Sequence, residues 1–242
     1  CSAPISRRKV GDGHGDGHGH GAPRGMHRCR LCRAAGIEYT LLRVPMGCSD
    51  FSERPYSYAD VPHDYELRHF QLAKEDTRMK ASVAQGGTGP HGGFTRAAAE
   101  RVPGRAPQIP LLQRALALSK RPLSLYASPW TAPGWLKRSG DVRGKSALRG
   151  QPGDRHHRTW ANYFVRFLDE YARRNVTFWA VTAQNEPQGA LLAPDAFPTV
   201  VFTAAQQRDF IARDLGPALA RSAHATRVII MDDQRSHLPA WA

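Results

Sequence analysis

Four apolar, strand-forming segments alternate with three stretches of helical character along this chain of 242 residues. The strand-like segments cover 37–46, 123–130, 176–183 and 227–233, and each is rich in β-branched, aromatic or other apolar residues. When strands alternate with helices, the strands run parallel. Each helix returns the chain, through a right-handed crossover, to the end of the sheet at which the previous strand began. The alternation therefore predicts an α/β fold built on a parallel sheet.

The clearest predicted helix covers Thr159–Arg174. Its large apolar residues recur at helical spacing: Trp160, Tyr163, Phe164, Phe167, Leu168 and Tyr171. A stripe of this kind predicts a buried helix face and not a binding surface. A second helix is expected from about 109 to 119. A third begins at Thr203, which forms a capping box with Gln206, and a kink is possible at Gly216–Pro217.

Polar or aromatic residues follow each predicted strand where it ends: Asp50, Trp130, Asn185–Glu186 and Asp232–Asp233. In a parallel barrel these ends share one face, which is where barrel enzymes place their active sites. A doubly wound open sheet is the alternative, but no glycine-rich phosphate turn follows any strand. The sequence therefore predicts a catalytic site at the carboxyl ends of the strands.

A carboxylate beside an amide is costly to place at the end of a buried strand, so we interpret Asn185–Glu186 as chemically functional. In this interpretation Glu186 is the general acid/base of a glycosidase and Asn185 binds a sugar hydroxyl. The alternative is a strand-end glutamate that faces water, and residue type alone does not separate the two.

The formal net charge of +13 is, at first sight, that of a nucleic-acid-binding protein. More than half of this charge lies in residues 1–35 and 81–108, which also hold more than half of the 22 glycines. The rest of the chain has no stripe of Lys and Arg interleaved with aromatic residues. Nucleic acid is therefore not an expected partner.

The same two segments, 1–35 and 81–108, predict a disordered N-terminal tail rich in Gly, His and Arg and an unstructured insertion. The folded domain is predicted to cover 36–242. Cys29 and Cys32, with four histidines nearby, suggest zinc, but no second ligand pair follows at regular spacing, so no metal is expected. No signal peptide or membrane-spanning apolar run is visible in the sequence.

Five motifs closely resemble the acid β-glucosidases of glycoside hydrolase family 30: Arg43–Met46, Ser128–Lys137, Gly150–Asp154, Asn185–Pro187 and Gln207–Pro217. The resemblance covers about 36–80 and 109–242. It implies a (β/α)8 TIM barrel, of which about four of the eight strands are present. It also implies hydrolysis of glucosylceramide with retention and without a cofactor, in the lysosome, aided by a saposin-type activator and an anionic lipid surface.

The resemblance assigns roles by position. Glu186 matches the acid/base and Asn185 the residue that hydrogen-bonds the sugar 2-hydroxyl. Asp50 matches a hydroxyl acceptor and Trp130 an apolar wall of the glucose pocket. Arg43 matches a supporting arginine on a barrel strand.

A retaining glycosidase also needs a nucleophilic carboxylate about 5–5.5 Å from the acid/base. In the family this group comes from a later strand, and neither Asp232 nor Asp233 matches its motif. We therefore expect the nucleophile to be absent and the chain alone to be inactive and poorly stable. A catalytically inactive fragment or pseudoenzyme of the same family is the alternative.

Four smaller features carry their own interpretations. Asn175–Thr177 fits the N-glycosylation acceptor pattern. Trp135 is assigned to packing in preference to substrate contact, and His156 and His157 to an exposed loop. Cys48 is interpreted as a free thiol near the site.

Overall fold

The computed structural model describes residues 39–77 and 107–241, and within them four strands form one sheet. The strands are β1 (Leu41–Met46), β2 (Ser124–Pro129), β3 (Ala180–Thr182) and β4 (Arg227–Ile229). They lie in the order β1–β2–β3–β4, and every neighbouring pair is parallel. The parallel α/β architecture predicted from the alternation is confirmed.

The helices lie between these strands. They are α1 (Lys74–Thr77), α2 (Gln108–Leu118), α3 (Arg155–Ala172), α4 (Ala204–Phe210) and α5 (Gly216–Ala220). A π-helical turn, Ile211–Leu215, joins α4 to α5, and 3-10 turns cover Gly134–Leu136, Gly189–Leu191 and Arg235–Ala240. The capping box between Thr203 and Gln206 is confirmed.

The π-helical turn lies immediately before the predicted kink at Gly216–Pro217. The Gly216 N–H donates to the Ile211 carbonyl, five residues earlier. A Cβ at Gly216 would lie 2.9 Å from that oxygen, so a glycine is needed for this close approach.

Helix α3 begins four residues earlier than its apolar stripe predicts, and this corrects the assignment of two histidines to an exposed loop. Asp154 caps the helix, since its carboxylate accepts the backbone N–H groups of His156 and His157. His157 thus lies in the first turn of α3 and is buried. The stripe failed to mark this turn because polar residues form it.

The apolar stripe of α3 is fully buried, as predicted, and forms the centre of the core. The predicted strand 176–183 is longer than β3, however. Phe178 is buried against Phe167 and Tyr171 of α3, at ring-centroid distances of 5.1 and 5.4 Å. Its ring therefore holds the chain onto the helix just before the ladder with β4 begins at Ala180.

Two predicted segments fall largely outside the described residues. They are the tail, 1–35, with the cysteine and histidine cluster considered for zinc, and the insertion, 81–108, of which only the last two residues are described. Gln108 already belongs to α2. Of the helices in the described ranges, none has the length and apolar character needed to cross a membrane.

Candidate active site

A hydrogen-bonded network joins residues that lie in or shortly after all four strands. The Arg43 guanidinium on β1 donates through Nη2 to Asn185 Oδ1 at 2.6 Å and to Asp232 Oδ2 at 2.5 Å. The Ser128 hydroxyl on β2 also donates to Asp232 Oδ2, at 2.6 Å, and accepts from Thr182 of β3 at 2.7 Å. The network therefore fixes Asn185 relative to three neighbouring strands.

Trp130 lies directly after β2 and is nearly buried. The Arg43 guanidinium carbon stands 4.6 Å from the centroid of its ring, within the range of a cation–π interaction. Arg43 therefore links Trp130 to the network. Its Nε is buried and has no hydrogen-bond partner among the described residues.

Glu186 follows β3 in an uncommon backbone conformation, with φ at +41°. A non-glycine residue in the left-handed region requires support from its surroundings. Two backbone hydrogen bonds give this support: the Glu186 N–H donates to the Asp232 carbonyl at 2.7 Å, and its own carbonyl accepts from Ala190 at 2.9 Å. The turn after β3 is thus anchored to the chain that follows β4.

Burial, first, and then the negative charge of Asp233 raise the pKa of the Glu186 carboxyl above its ordinary value. The carboxylates of Asp232 and Asp50 add to this effect, and the Arg43 guanidinium opposes it. No described residue donates a hydrogen bond to the Glu186 side chain. The group therefore keeps its proton to a higher pH than an ordinary glutamate, and no hydrogen bond within the described residues engages its side chain.

Asp233 is held very differently. Its buried carboxylate accepts the backbone N–H groups of Gln188 and Gly189, each at 2.9 Å, and of Gln234 at 2.7 Å. His237 Nδ1 lies 3.1 Å from its Oδ1. Burial alone would raise the pKa of Asp233, but these hydrogen bonds outweigh it and the pKa is lowered. Asp233 thus fastens the turn that follows Glu186.

A cavity of about 240 Å³ opens beside Glu186. Glu186 and Gly189 form one side of it, and the other lining residues, mostly apolar, come from the loop after Gly189: Ala190, Leu192, Ala193, Pro194, Phe197 and Thr199. A Cβ at Gly189 would lie 3.3 Å from the Glu186 Cβ and 3.5 Å from its Oε2, so glycine leaves room for the carboxyl.

The five site residues predicted from the sequence do not all come into direct contact. Arg43 contacts Asn185 through a hydrogen bond and Trp130 through a cation–π interaction. Asp50 is exposed in the turn after β1 and reaches Glu186 only through its charge. Asp50, Trp130, Asn185 and Glu186 follow the carboxyl ends of their strands, in agreement with the predicted location of the site, whereas Arg43 lies within β1.

Sequence reasoning gave no role to Ser128, Thr182 and Asp232, although it noted Asp232 as a strand-end acid. Their shared signal is position: Ser128 and Thr182 lie at the ends of β2 and β3, and Asp232 pairs with Asn185 in an isolated parallel bridge. A search for hydroxyl and carboxyl groups at matching strand ends would have found all three.

Two minor predictions concern neighbouring residues. Trp135 is half-buried and donates from Nε1 to the Ala59 carbonyl at 2.8 Å, with Tyr65 edge-on to its ring. This agrees with a packing role. Cys48 is a buried free cysteine, and burial raises the pKa of its thiol.

The sequence pattern described as "Glycosyl hydrolase family 30 TIM-barrel domain" matches residues 30–87 and 105–242. The chain belongs to this family. The four parallel strands and their helices are accordingly part of a TIM-barrel domain, and the polar strand ends lie at the face where such barrels place their active sites.

Sequence similarity to individual proteins is consistent with this family assignment. The chain is 50% identical over 207 residues to lysosomal acid glucosylceramidase of Mus musculus, a match that covers 86% of this chain and 35% of that protein. It is 38% identical over 209 residues to putative glucosylceramidase 1 of Caenorhabditis elegans, which covers 86% and 34%. The chain thus spans about a third of the length of these relatives.

Among solved structures, SrfJ from Salmonella typhimurium superimposes with a TM-score of 0.64 at 25% sequence identity. The match covers 84% of this chain and 38% of SrfJ. The endo-β1,6-glucanase BT3312 gives a TM-score of 0.60 at 23% identity, a likeness of fold alone.

Proposed function

We propose that this chain is the part of a retaining β-glucosidase that carries the acid/base, and that the enzyme hydrolyses glucosylceramide to glucose and ceramide. The observation that carries the proposal is the environment of the Glu186 carboxyl. It combines a raised pKa, an open cavity beside it and no hydrogen-bond donor among the described residues. The relative in Mus musculus supports the choice of substrate.

In the proposed mechanism, a second carboxylate bonds to the anomeric carbon while Glu186 donates its proton to the glycosidic oxygen and the ceramide alcohol leaves. Glu186, now a carboxylate, then removes a proton from the water that attacks the anomeric carbon and displaces the second carboxylate. A carboxyl with a raised pKa suits the first step, since it holds its proton until the leaving group needs it. No metal or organic cofactor is required by a pair of carboxylates.

The neighbours of Glu186 take supporting roles. Asn185 uses Oδ1 to accept from Arg43, which leaves its amide hydrogens for the sugar 2-hydroxyl. Asp50 accepts hydrogen bonds from sugar hydroxyls, and Trp130 forms an apolar wall. Arg43 positions Asn185 and Trp130 and does not touch the substrate.

We propose that the nucleophile comes from outside the described residues. The two nearest acids at the end of β4 are both engaged, Asp232 by Arg43 and Ser128 and Asp233 by three backbone N–H groups and His237. Neither is free to attack an anomeric carbon. The same observation favours a second candidate, in which this chain is a catalytically inactive fragment or a pseudoenzyme of the family.

The lipid part of the substrate suggests where the enzyme works. Leu191 and Leu192, in the loop beside the cavity, are 56% and 87% exposed. Apolar side chains at the mouth of a site suit a substrate held in a lipid surface. We propose the lysosome as the location, by likeness to the relative of that name. An anionic lipid surface and a saposin-type activator are proposed as partners because the family resemblance of the sequence implies them.

Two proteins test the proposal: the 242-residue chain itself, and a chimera in which this chain replaces its matched segment of the mouse relative. We expect the chimera to release glucose from glucosylceramide and its Glu186→Gln variant to lose this activity. A folded chimera without activity would instead support the pseudoenzyme. Turnover of a fluorogenic β-glucoside by the chain alone, abolished by Glu186→Gln, would contradict the proposal that the nucleophile comes from outside the described residues.

A further inference from the structure

The sequence Asn175–Val176–Thr177 has no part in the proposed reaction. It is the single Asn-X-Ser/Thr sequence in the 242 residues, since the other two asparagines, Asn162 and Asn185, are followed by Tyr-Phe and Glu-Pro. This pattern is the acceptor for N-linked glycans in chains that enter the secretory route. A pattern this short needs structural support before it carries weight.

The turn after α3 gives Asn175 a structural role that is separate from any glycan. Asn175 has φ at +58°, its N–H donates to the Ala172 carbonyl at 2.9 Å, and the Val176 N–H donates to the Tyr171 carbonyl at 3.1 Å. These two bonds form a Schellman cap, whose left-handed position takes glycine or, less often, asparagine. The cap explains an asparagine here, but it does not require Thr177.

The side chains of the pattern are open to solvent in the folded chain. Asn175 and Thr177 are both exposed, while Val176 between them is fully buried and holds the turn in place. No described residue forms a hydrogen bond with the Asn175 side-chain amide. Its Nδ2 is therefore able to carry a large substituent without breaking any hydrogen bond of this side chain to residues 39–77 or 107–241.

The turn also lies at the opposite end of the sheet from the candidate site. Asn175 precedes β3, whereas Asn185 and Glu186 follow it. In a TIM barrel the amino ends of the strands form the face that contributes to stability and not to catalysis. A substituent on Asn175 therefore leaves the cavity beside Glu186 accessible.

We propose that Asn175 carries an N-linked glycan. The glycan comes from a lipid-linked oligosaccharide pyrophosphate: a bond forms between the sugar C1 and Asn175 Nδ2, the bond from C1 to the pyrophosphate oxygen breaks, and the amide loses one proton. The proposal rests on the proposed function, because a lysosomal enzyme meets this donor as it passes through the secretory route.

The test is translation of the full chain in the presence of animal microsomes, behind a cleavable secretory signal and with one reporter acceptor sequence added at its carboxyl terminus. Translocated molecules are recognised by the reporter glycan, and only these are scored. We expect two glycans on each, both removed by peptide N-glycosidase. Removal in 18O-labelled water leaves a labelled aspartate at position 175, which mass spectrometry detects.

Matched variants separate glycosylation from folding. Asn175→Gly keeps the left-handed cap, and Thr177→Val keeps its exposed, β-branched character, and both should leave one glycan. Thr177→Ser preserves the acceptor and should keep two. Translocated wild-type molecules that carry only the reporter glycan would overturn the proposal. The readout needs no glucosidase activity, so failure here and failure of the proposed function are distinguishable.

Discussion

Two carboxyl groups with raised pKa occupy contrasting parts of this molecule, Asp76 in the core and Glu186 at the end of β3. Asp76 is buried, and its Oδ1 accepts from the hydroxyls of Tyr58 at 2.8 Å and Tyr171 at 2.5 Å. The Ala73 N–H donates to its Oδ2 at 3.2 Å. Burial still outweighs these donors and raises the pKa of Asp76 to about 6.

The two carboxyl groups differ in whether a molecule from outside the protein can reach them. The oxygens of Asp76 are satisfied by neighbours and closed off by tyrosine rings, so its proton has no partner outside the protein. Glu186 has a raised pKa, no hydrogen-bond donor among the described residues and a cavity beside it. A raised pKa thus identifies a carboxyl that holds its proton, and only the surroundings make that proton useful for chemistry.

The largest expected effect is a loss of activity on substitution of Glu186, and it tests this contrast directly. In the chimera, Glu186→Gln should lower the hydrolysis of an alkyl β-glucoside by about 10²- to 10⁴-fold, the range for loss of a general acid. In kcat/KM, which excludes the later step where the same carboxylate acts as a base, the loss should be much smaller for a dinitrophenyl β-glucoside, whose leaving group needs no proton. Steady-state kinetics on the two substrates measure both values.

Asp76→Asn is the matched control in the same chimera. It removes a carboxyl of raised pKa that lies in the core and should leave the ratio between the two substrates unchanged. An equal loss on both substrates for Glu186→Gln would contradict the general-acid role.

The second effect concerns stability. Because the folded pKa of Asp76, about 6, exceeds its ordinary 3.8, the folded chain binds more protons than the unfolded chain between these values. This contribution is fully present below pH 3.8 and is lost as pH rises through about 6. It corresponds to roughly 3 kcal/mol, at about 1.4 kcal/mol for each pH unit between the two pKa values.

Urea unfolding at pH 4 and pH 7.5 measures this contribution. Asp76→Asn should remove it, so the unfolding free energy of the variant relative to the wild type should rise by roughly 3 kcal/mol from pH 4 to pH 7.5. Glu53→Gln, which removes an exposed carboxylate from the loop before α1, should show no such rise. If Asp76→Asn left the pH dependence intact, the core carboxyl would not be the group that titrates.

The smallest expected effect tests the surroundings of Glu186. Asp233→Asn removes a negative charge that raises the pKa of Glu186, so that pKa should fall toward its ordinary value. The alkaline limb of the profile of kcat/KM against pH in the chimera should therefore move to lower pH. Asp195→Asn, at an exposed position of the same cavity loop, is the control and should not move it.

Loss of the Asp233 carboxylate should also destabilise the turn by about 1–3 kcal/mol, because backbone donors lose a charged acceptor. A lower kcat/KM with an unmoved alkaline limb would assign Asp233 to structure alone.

Much of the architecture could be predicted from local sequence. The apolar stripe of α3 and the capping box at Thr203 are both present in the structure. The boundaries were less accurate, because they depend on partners distant in sequence. Phe178 packs on α3, so β3 is short, and Asp154 adds a first turn to α3 that the stripe did not mark.

The site was predicted in part. Strand-end position indicated Asn185, Glu186, Trp130 and Asp50, because parallel strands bring their carboxyl ends to one face. The hydrogen bonds among them could not be predicted. Whether the guanidinium of Arg43 reaches Asn185 or the solvent depends on strand register and rotamers, which local sequence does not specify.

The sequence by itself determined the parallel α/β fold and the end of the sheet at which the candidate site lies. The spacing of apolar residues fixes secondary structure, and the crossover rule then fixes strand direction. Only the tertiary structure decided which polar groups form hydrogen bonds with other protein groups and which do not. Lys137 illustrates this: it is fully buried, its Nζ donates to the carbonyls of Val142, Arg143 and Gly144, and burial lowers its pKa to about 8.

The same distinction separates Asp233, whose carboxylate is fully occupied, from Glu186, whose carboxyl has no donor in the described chain. Both are acids next to another polar residue at the end of a strand, and residue type treats them alike. Their surroundings differ because distant segments converge at this face, and this convergence leaves Glu186 with the proton that the proposed reaction needs.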